Sequence, residues 1–312
     1  MGYQGTKVFG AYLPHVPFAD NLQIFVNSCL AQGGQKKPSV IMSMDNEASF
    51  SGLGGIIAMG KALVGLLLLA VTHIAGAQDA LISVSTRGAQ TITYWWMPRD
   101  HAQATVLLFS GGSGGMGYKN GRPESGNFLV RTRDYFASEG FNVAILGNPS
   151  AKRLLDEYWR TSSAHATDVK NVIADIRTKN DAPVWAVGTS MGTISVAAVG
   201  IALPGQLAGL VITSSITSFR VTGAVPRQDL EDIRVPVLVY HHQFDACLVT
   251  PANDATRILN KLNNASVKKL VLVTGGENPA GDSCEAFHWH GFIGMEARVV
   301  KEIADWIKSP QG

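Results

Sequence analysis

Charge and cysteine are both scarce in this sequence. Charged side chains make up 16% of 312 residues, against roughly 25% in an average globular chain. The 26 basic and 24 acidic groups nearly cancel to +2, so there is no basic stripe of the kind that binds nucleic acid. Three cysteines, Cys29, Cys247 and Cys284, are too few for a disulfide scaffold and lack the paired spacing of a zinc site. Neither internal repeat nor low-complexity tract is present. A continuous charge-free membrane span is missing too: the apolar stretch Leu53–Val71 carries Lys61 at its centre and several glycines, where a spanning helix wants about 20 mostly apolar residues. What is present is a 46% hydrophobic content and six tryptophans, which argues against a wholly disordered chain.

The two ends of the chain differ. Residues 1–77 hold seven charged side chains and the remaining 235 hold forty-three. Within the first part, Lys61 is followed by ten uncharged residues, Ala62–Val71, and then by Ala75-Gly76-Ala77. That is the n-region, h-region and small-residue cleavage site of a secretory signal. Residues 59–77 are therefore expected to be a signal peptide, with an uncleaved membrane anchor as the alternative. Residues 1–58 show no helical or alternating period and read as a non-native upstream extension or a disordered leader, with translation expected to start at Met59 rather than Met44. Either way residues 78–312 are expected outside the cytoplasm, periplasmic or secreted, touching a membrane only through an uncleaved leader.

From Leu81 onward short apolar runs alternate with helix-like segments. The runs are Leu81–Val84, Thr91–Trp96, Ala104–Phe109, Asn142–Leu146, Pro183–Val187, Leu207–Thr213, Val235–Tyr240 and Lys269–Val273. The helical segments are Asn127–Ser138, Thr161–Lys179, Thr193–Leu203, Pro251–Leu262 and Gly294–Ile307. Nearly continuous Val, Ile and Leu runs mark strands covered on both faces, and βα alternation implies a mostly parallel sheet between helices. The first two runs are close enough for an antiparallel start. Residues 78–312 form one α/β domain on this reading, and Ser214–Arg234 offers room for a minimal cap only.

In such a sheet ligands sit beyond the carboxyl ends of the strands. Gly188-Thr189-Ser190-Met191-Gly192 fits G-x-S-x-G between a strand and a helix, the context of a nucleophile elbow. The same pattern at Gly111–Gly115 is followed by Met116–Pro123, which cannot open a helix, so Ser113 is a poor nucleophile. That loop suits backbone N–H donation to an oxyanion instead, from Gly112 or Ser113, with Met191 as the second donor. Gly112–Gly117 also spells a dinucleotide fingerprint, but Asp134 falls inside a helix where a strand-end acid is required. A P-loop fails as well, because Gly117-Tyr118-Lys119 has Lys in the wrong place.

A serine hydroxyl needs an imidazole to take its proton, and the imidazole needs a carboxylate to set its tautomer. Asp245 follows the run ending at Tyr240, and His290 lies beyond the run ending at Val273. Asp229 and Asp232 precede a strand, Asp254 sits in a helix, and Asp282 and Glu285 share the histidine loop less favourably. His288 is the reserve base. His241 and His242 read as satisfied polar groups at a strand end, and His165 as a helix-surface residue. The histidines lack the one-helix pattern of a metal site.

Together Ser190 in GTSMG, Asp245 in HHQFDAC, His290 in HWHGF and the FSGGSGG loop resemble the α/β-hydrolase superfamily, in its serine-esterase and dienelactone-hydrolase-like members. The resemblance covers about Leu81–Ile307. It implies a Ser-Asp-His triad acting on a small-molecule acyl substrate, an ester, thioester or amide, through an acyl-enzyme and without cofactor. One departure is Ser110-Gly111-Gly112 where many esterases carry His-Gly-Gly. In an exported chain the pair Cys247 and Cys284, beside the acid and histidine loops, is expected to form a disulfide; two thiols that never meet are the alternative.

Overall fold

A computed structural model describes residues 78–312. The leader segments 1–58 and 59–77, and Cys29 with them, lie outside the described residues. The strands are β1 (Ala80–Ser85), β2 (Thr91–Met97), β3 (Ala104–Phe109), β4 (Tyr118–Lys119), β5 (Arg122–Pro123), β6 (Phe141–Pro149), β7 (Val184–Thr189), β8 (Gly209–Thr213), β9 (Val237–His242) and β10 (Lys268–Val273). The helices are α1 (Phe128–Arg131), α2 (Arg133–Ser138), α3 (Glu157–Arg160), α4 (Ser163–Lys179), α5 (Gly192–Ala202), α6 (Ala255–Lys261) and α7 (Glu296–Lys308).

Eight strands form one sheet in the order β1-β2-β6-β3-β7-β8-β9-β10. β2 runs antiparallel to both β1 and β6, and every other pairing is parallel. The central strands β3, β7, β8 and β9 are buried along their whole length, which is why their sequences are continuously apolar rather than alternating. The edge strand β1 has one solvated face and alternates.

Strand periodicity divides the core between two faces. Leu107, Phe109 and Ala186 pack with Val169, Val172, Ile173 and Ile176 of α4 and with apolar residues of α5 and α6. Val106, Leu108 and Val187 point the other way, against Phe128 and Phe136 of α1 and α2 and against Val299, Ile303 and Trp306 of α7. The spacing 169-172-173-176 places one stripe of α4 on the sheet, and Ser162 caps that helix by accepting from the His165 N–H at 3.2 Å.

The structure departs from the sequence reading in several places. The single helix expected over Asn127–Ser138 is two, divided at Thr132, whose hydroxyl donates back to the Phe128 carbonyl at 2.7 Å. The helix expected from Pro251 starts as a 3-10 turn over Ala252–Asp254. The short α3 and the β4–β5 hairpin had no periodic signal. His165 is not a surface residue: it is fully buried, edge-on to Phe109. Ser214–Arg234 contains two 3-10 turns, Val225–Arg227 and Leu230–Asp232, and Ile216, Ala224, Val225, Leu230 and Ile233 of this segment are buried.

Candidate active site

β7 delivers its chain to Ser190, which has φ of +52°. A non-glycine residue in the left-handed region costs on the order of 1 kcal/mol and needs support from its surroundings. Here the Ser190 N–H donates to the Thr213 carbonyl at 3.1 Å, and the Ser190 carbonyl accepts from the Thr193 N–H and hydroxyl. α5 begins two residues later. Two glycines make this turn possible by close approach. A Cβ on Gly192 would stand 2.0 Å from the Phe109 carbonyl oxygen, and one on Gly111 would stand 2.9 Å from the Ser190 Cβ. The end of β3 is thereby pressed against the start of α5.

Asp245 and His290 arrive on the loops after β9 and β10. His290 Nδ1 lies 2.9 Å from Asp245 Oδ2, and both side chains are nearly inaccessible to solvent. A carboxylate accepting from Nδ1–H leaves the Nε2 lone pair free, the tautomer a general base requires. The second carboxylate oxygen, Oδ1, accepts from the Cys247 N–H at 3.0 Å. The Thr250 hydroxyl donates to Asp245 Oδ2 at 2.9 Å and lies 3.2 Å from His290 Nδ1. The Ser214 hydroxyl donates to the His290 carbonyl at 2.8 Å, tying the histidine loop to the end of β8.

Ser190 and His290 line one pocket of about 480 Å³. Among the described residues, no hydrogen bond joins the Ser190 hydroxyl to the His290 ring. Such bonds are commonly long in unliganded enzymes and tighten with substrate. The opposite wall is the glycine-rich loop, where Gly112 and Gly114 have φ of +53° and +79°. Among the described residues the N–H groups of Gly112, Ser113 and Met191 have no acceptor. The remaining wall comes from Ser125–Phe128 and Cys284–Phe287.

The glycine loop is held by a residue that sequence reasoning missed. Arg160, at the end of α3, is 1% exposed. Its guanidinium donates to the carbonyls of Leu155, Ser110 and Gly112 and to the Ser195 hydroxyl on α5. Burial lowers its pKa to about 10, so it stays charged at neutral pH. No local pattern marks an arginine on a four-residue helix; the signal is its three-dimensional position. Thr250 and Ser214 were missed for the same reason.

The other histidines are elsewhere engaged. His241 is buried, and its Nε2 accepts from the Ser215 N–H at 2.9 Å. Its Nδ1 has no partner among the described residues, so only half of the expected satisfaction is met. Burial lowers its pKa to about 4. His242 approaches the Gly275 carbonyl through Nε2 and accepts from the Phe244 N–H through Nδ1. His288 packs edge-on to Trp289 and makes no bond to Asp245. Asp254 pairs with Arg257, and Asp282 caps the Cys284 N–H. Cys247 and Cys284 are bonded, with Cα atoms 4.6 Å apart, linking the loop of Asp245 to the loop that leads to His290.

No protein-family model matches the chain, and no curated sequence resembles it. Solved structures do. An esterase of Pyrococcus furiosus superposes with a TM-score of 0.55 at 12% identity, over 74% of this chain and 92% of that one. The chain has the α/β-hydrolase fold. An α/β serine hydrolase without lid from Xanthomonas campestris matches at 0.51 and 14% identity, over 76% of this chain and 97% of that one. Dienelactone hydrolase from Anabaena variabilis matches at 0.51 and 13% identity, over 74% and 96%. The likeness to α/β-hydrolases at such identities establishes the architecture; the reaction has to be argued from the residues.

Proposed function

We propose that this chain is a serine hydrolase that cleaves a carboxylic ester, or a related acyl bond, through an acyl-enzyme. Ser190 attacks the acyl carbon while His290 takes its proton, and the proton then passes to the leaving alcohol. Asp245 fixes the His290 tautomer and stabilises the imidazolium. Water attacks the acyl-enzyme in a second round with His290 again as base, and the acid leaves. Met191 and Gly112 or Ser113 supply N–H donors to the oxyanion, a contribution worth about 10²–10³ in rate per donor. No step calls for a cofactor. The observation that carries this reading is a serine strained at a strand–helix turn, in one pocket with a histidine whose Nδ1 is engaged by a buried carboxylate. The esterases and hydrolases among the structural relatives favour the same reaction class.

The domain is exported on this reading, behind a leader at residues 59–77. The Cys247–Cys284 bond suits an oxidising compartment, and no helix among the described residues is long and apolar enough to cross a membrane. The test is labelling with a fluorophosphonate probe followed by peptide mapping. Ser190 carries the label, and Ser190→Ala abolishes both labelling and turnover of short acyl esters without loss of fold. An adduct on Ser113 would reassign the nucleophile. The second reading is a binding protein that uses the fold without catalysis, and silence toward the probe together with no turnover of any acyl ester would favour it.

A further inference from the structure

Asn127 stands where the glycine-loop strand, the serine turn and α1 meet. Three of its four polar groups are occupied within its own segment. Its N–H donates to the Ser125 hydroxyl at 3.2 Å. Its carbonyl accepts from the Val130 and Arg131 N–H groups. Its Oδ1 caps α1 by accepting from the Leu129 N–H at 3.1 Å. That cap settles which way the amide faces, since the reversed amide would set two donors against each other. The fourth group, the Nδ2 amine, has no acceptor among the described residues. It and Ser190 both border Gly111: a Cβ built on that glycine would be 3.2 Å from Asn127 Nδ2 and 2.9 Å from the Ser190 Cβ. Asn127 also lines the pocket that holds Ser190 and His290.

We infer that Asn127 Nδ2 donates a hydrogen bond to the acyl oxygen of the substrate, adding a side-chain donor to the backbone N–H groups of the site. This rests on the serine-hydrolase reading. A neutral amide fits an oxygen that is partly negative as a carbonyl and fully negative in the tetrahedral intermediate, so the bond strengthens as the reaction proceeds. Such a donor acts on kcat more than on KM. The capping bond holds the amide in place beforehand, as an effective oxyanion donor requires.

The cap and the donor can be separated by substitution. Asn127→Asp keeps a good N-cap acceptor and the side-chain shape while removing both N–H donors. Asn127→Ser keeps a cap acceptor without charge. With p-nitrophenyl acetate, both variants are expected to lose about 10²–10³-fold in kcat with little change in KM, at an unfolding midpoint close to that of the wild type. They are also expected to lose affinity for a boronic acid that mimics the tetrahedral intermediate. Turnover within threefold of wild type in either folded variant would overturn the inference and leave Asn127 as a cap alone. If Asn127→Asp does not fold, Asn127→Ser decides. A wild-type protein that neither labels at Ser190 nor turns over ester overturns the hydrolase reading and this inference with it, whereas an active wild type with unimpaired variants overturns this inference only.

Discussion

Arg160 offers the sharpest test of how the glycine loop is held. Its guanidinium is buried and makes four hydrogen bonds, three of them to fully buried acceptors at Leu155, Ser195 and Ser110. Arg160→Met preserves chain length and removes every donor. Each buried acceptor left unpaired costs about 1–3 kcal/mol. Relief of the buried charge's desolvation, the effect that lowers its pKa to about 10, offsets part of this. Three such acceptors sum to about 3–9 kcal/mol before that offset, and a net destabilisation of about 3–5 kcal/mol is expected. Arg160→Lys retains charge but not the planar fork, and is expected to fall between Met and wild type. Urea unfolding followed by tryptophan fluorescence measures this directly. Ester turnover should fall further than stability alone explains, because Ser110 and Gly112 lose their anchor. A Met variant as stable as wild type would refute the argument, since it would show the guanidinium replaceable by apolar packing.

Three further outcomes follow from other contacts. Cleaving the Cys247–Cys284 link, whose positions are 37 residues apart in sequence, should destabilise by about 4 kcal/mol on the chain-entropy estimate; an unchanged urea midpoint after reduction would contradict it. Burial, with Arg160 nearby, lowers the His165 pKa to about 3, and burial lowers that of His241 to about 4. The unfolded chain therefore binds more protons between those values and 6.5. Stability is intact above pH 6.5 and is lost as pH falls, by about 2 kcal/mol per ring at pH 5; His165→Leu should flatten the curve, and a flat wild-type curve from pH 7 to 5 would rule the effect out. Thr250→Val removes a hydrogen bond to the Asp245 carboxylate beside His290, worth about 1.5–3 kcal/mol, part of which is expected to reach the transition state. It should lower kcat about fivefold to tenfold, and an unaltered kcat would show that the hydroxyl does not position the pair.

Much of the architecture was legible in the chain because burial on both faces demands uninterrupted apolar strands. All eight runs read from composition are strands of the main sheet, and the early pair is antiparallel. The serine motif was legible partly for a local reason: Gly188 answers close contacts with Gly192 and Val196 within a few residues of the turn, whereas Gly192 answers the distant Phe109 carbonyl. Element ends were less so. Thr132 breaks a helix by a side-chain bond that competes with the backbone, and periodicity does not register that choice. His165 was misjudged because its polar ring was read as solvated; four residues before Val169 and seven before Val172, it continues the apolar stripe of α4 and is buried edge-on to Phe109.

The sequence by itself determined the βα alternation, the strand–turn–helix around Ser190 and the chain order of Ser190, Asp245 and His290. These follow from local periodicity and from residue types whose chemistry is set before folding. The tertiary structure alone decided that Arg160 reaches the glycine loop, that the Ser214 hydroxyl meets the His290 carbonyl, and that Asn127 and Ser190 line one pocket. Those pairs lie tens of residues apart in the chain, and no spacing encodes where such partners will meet.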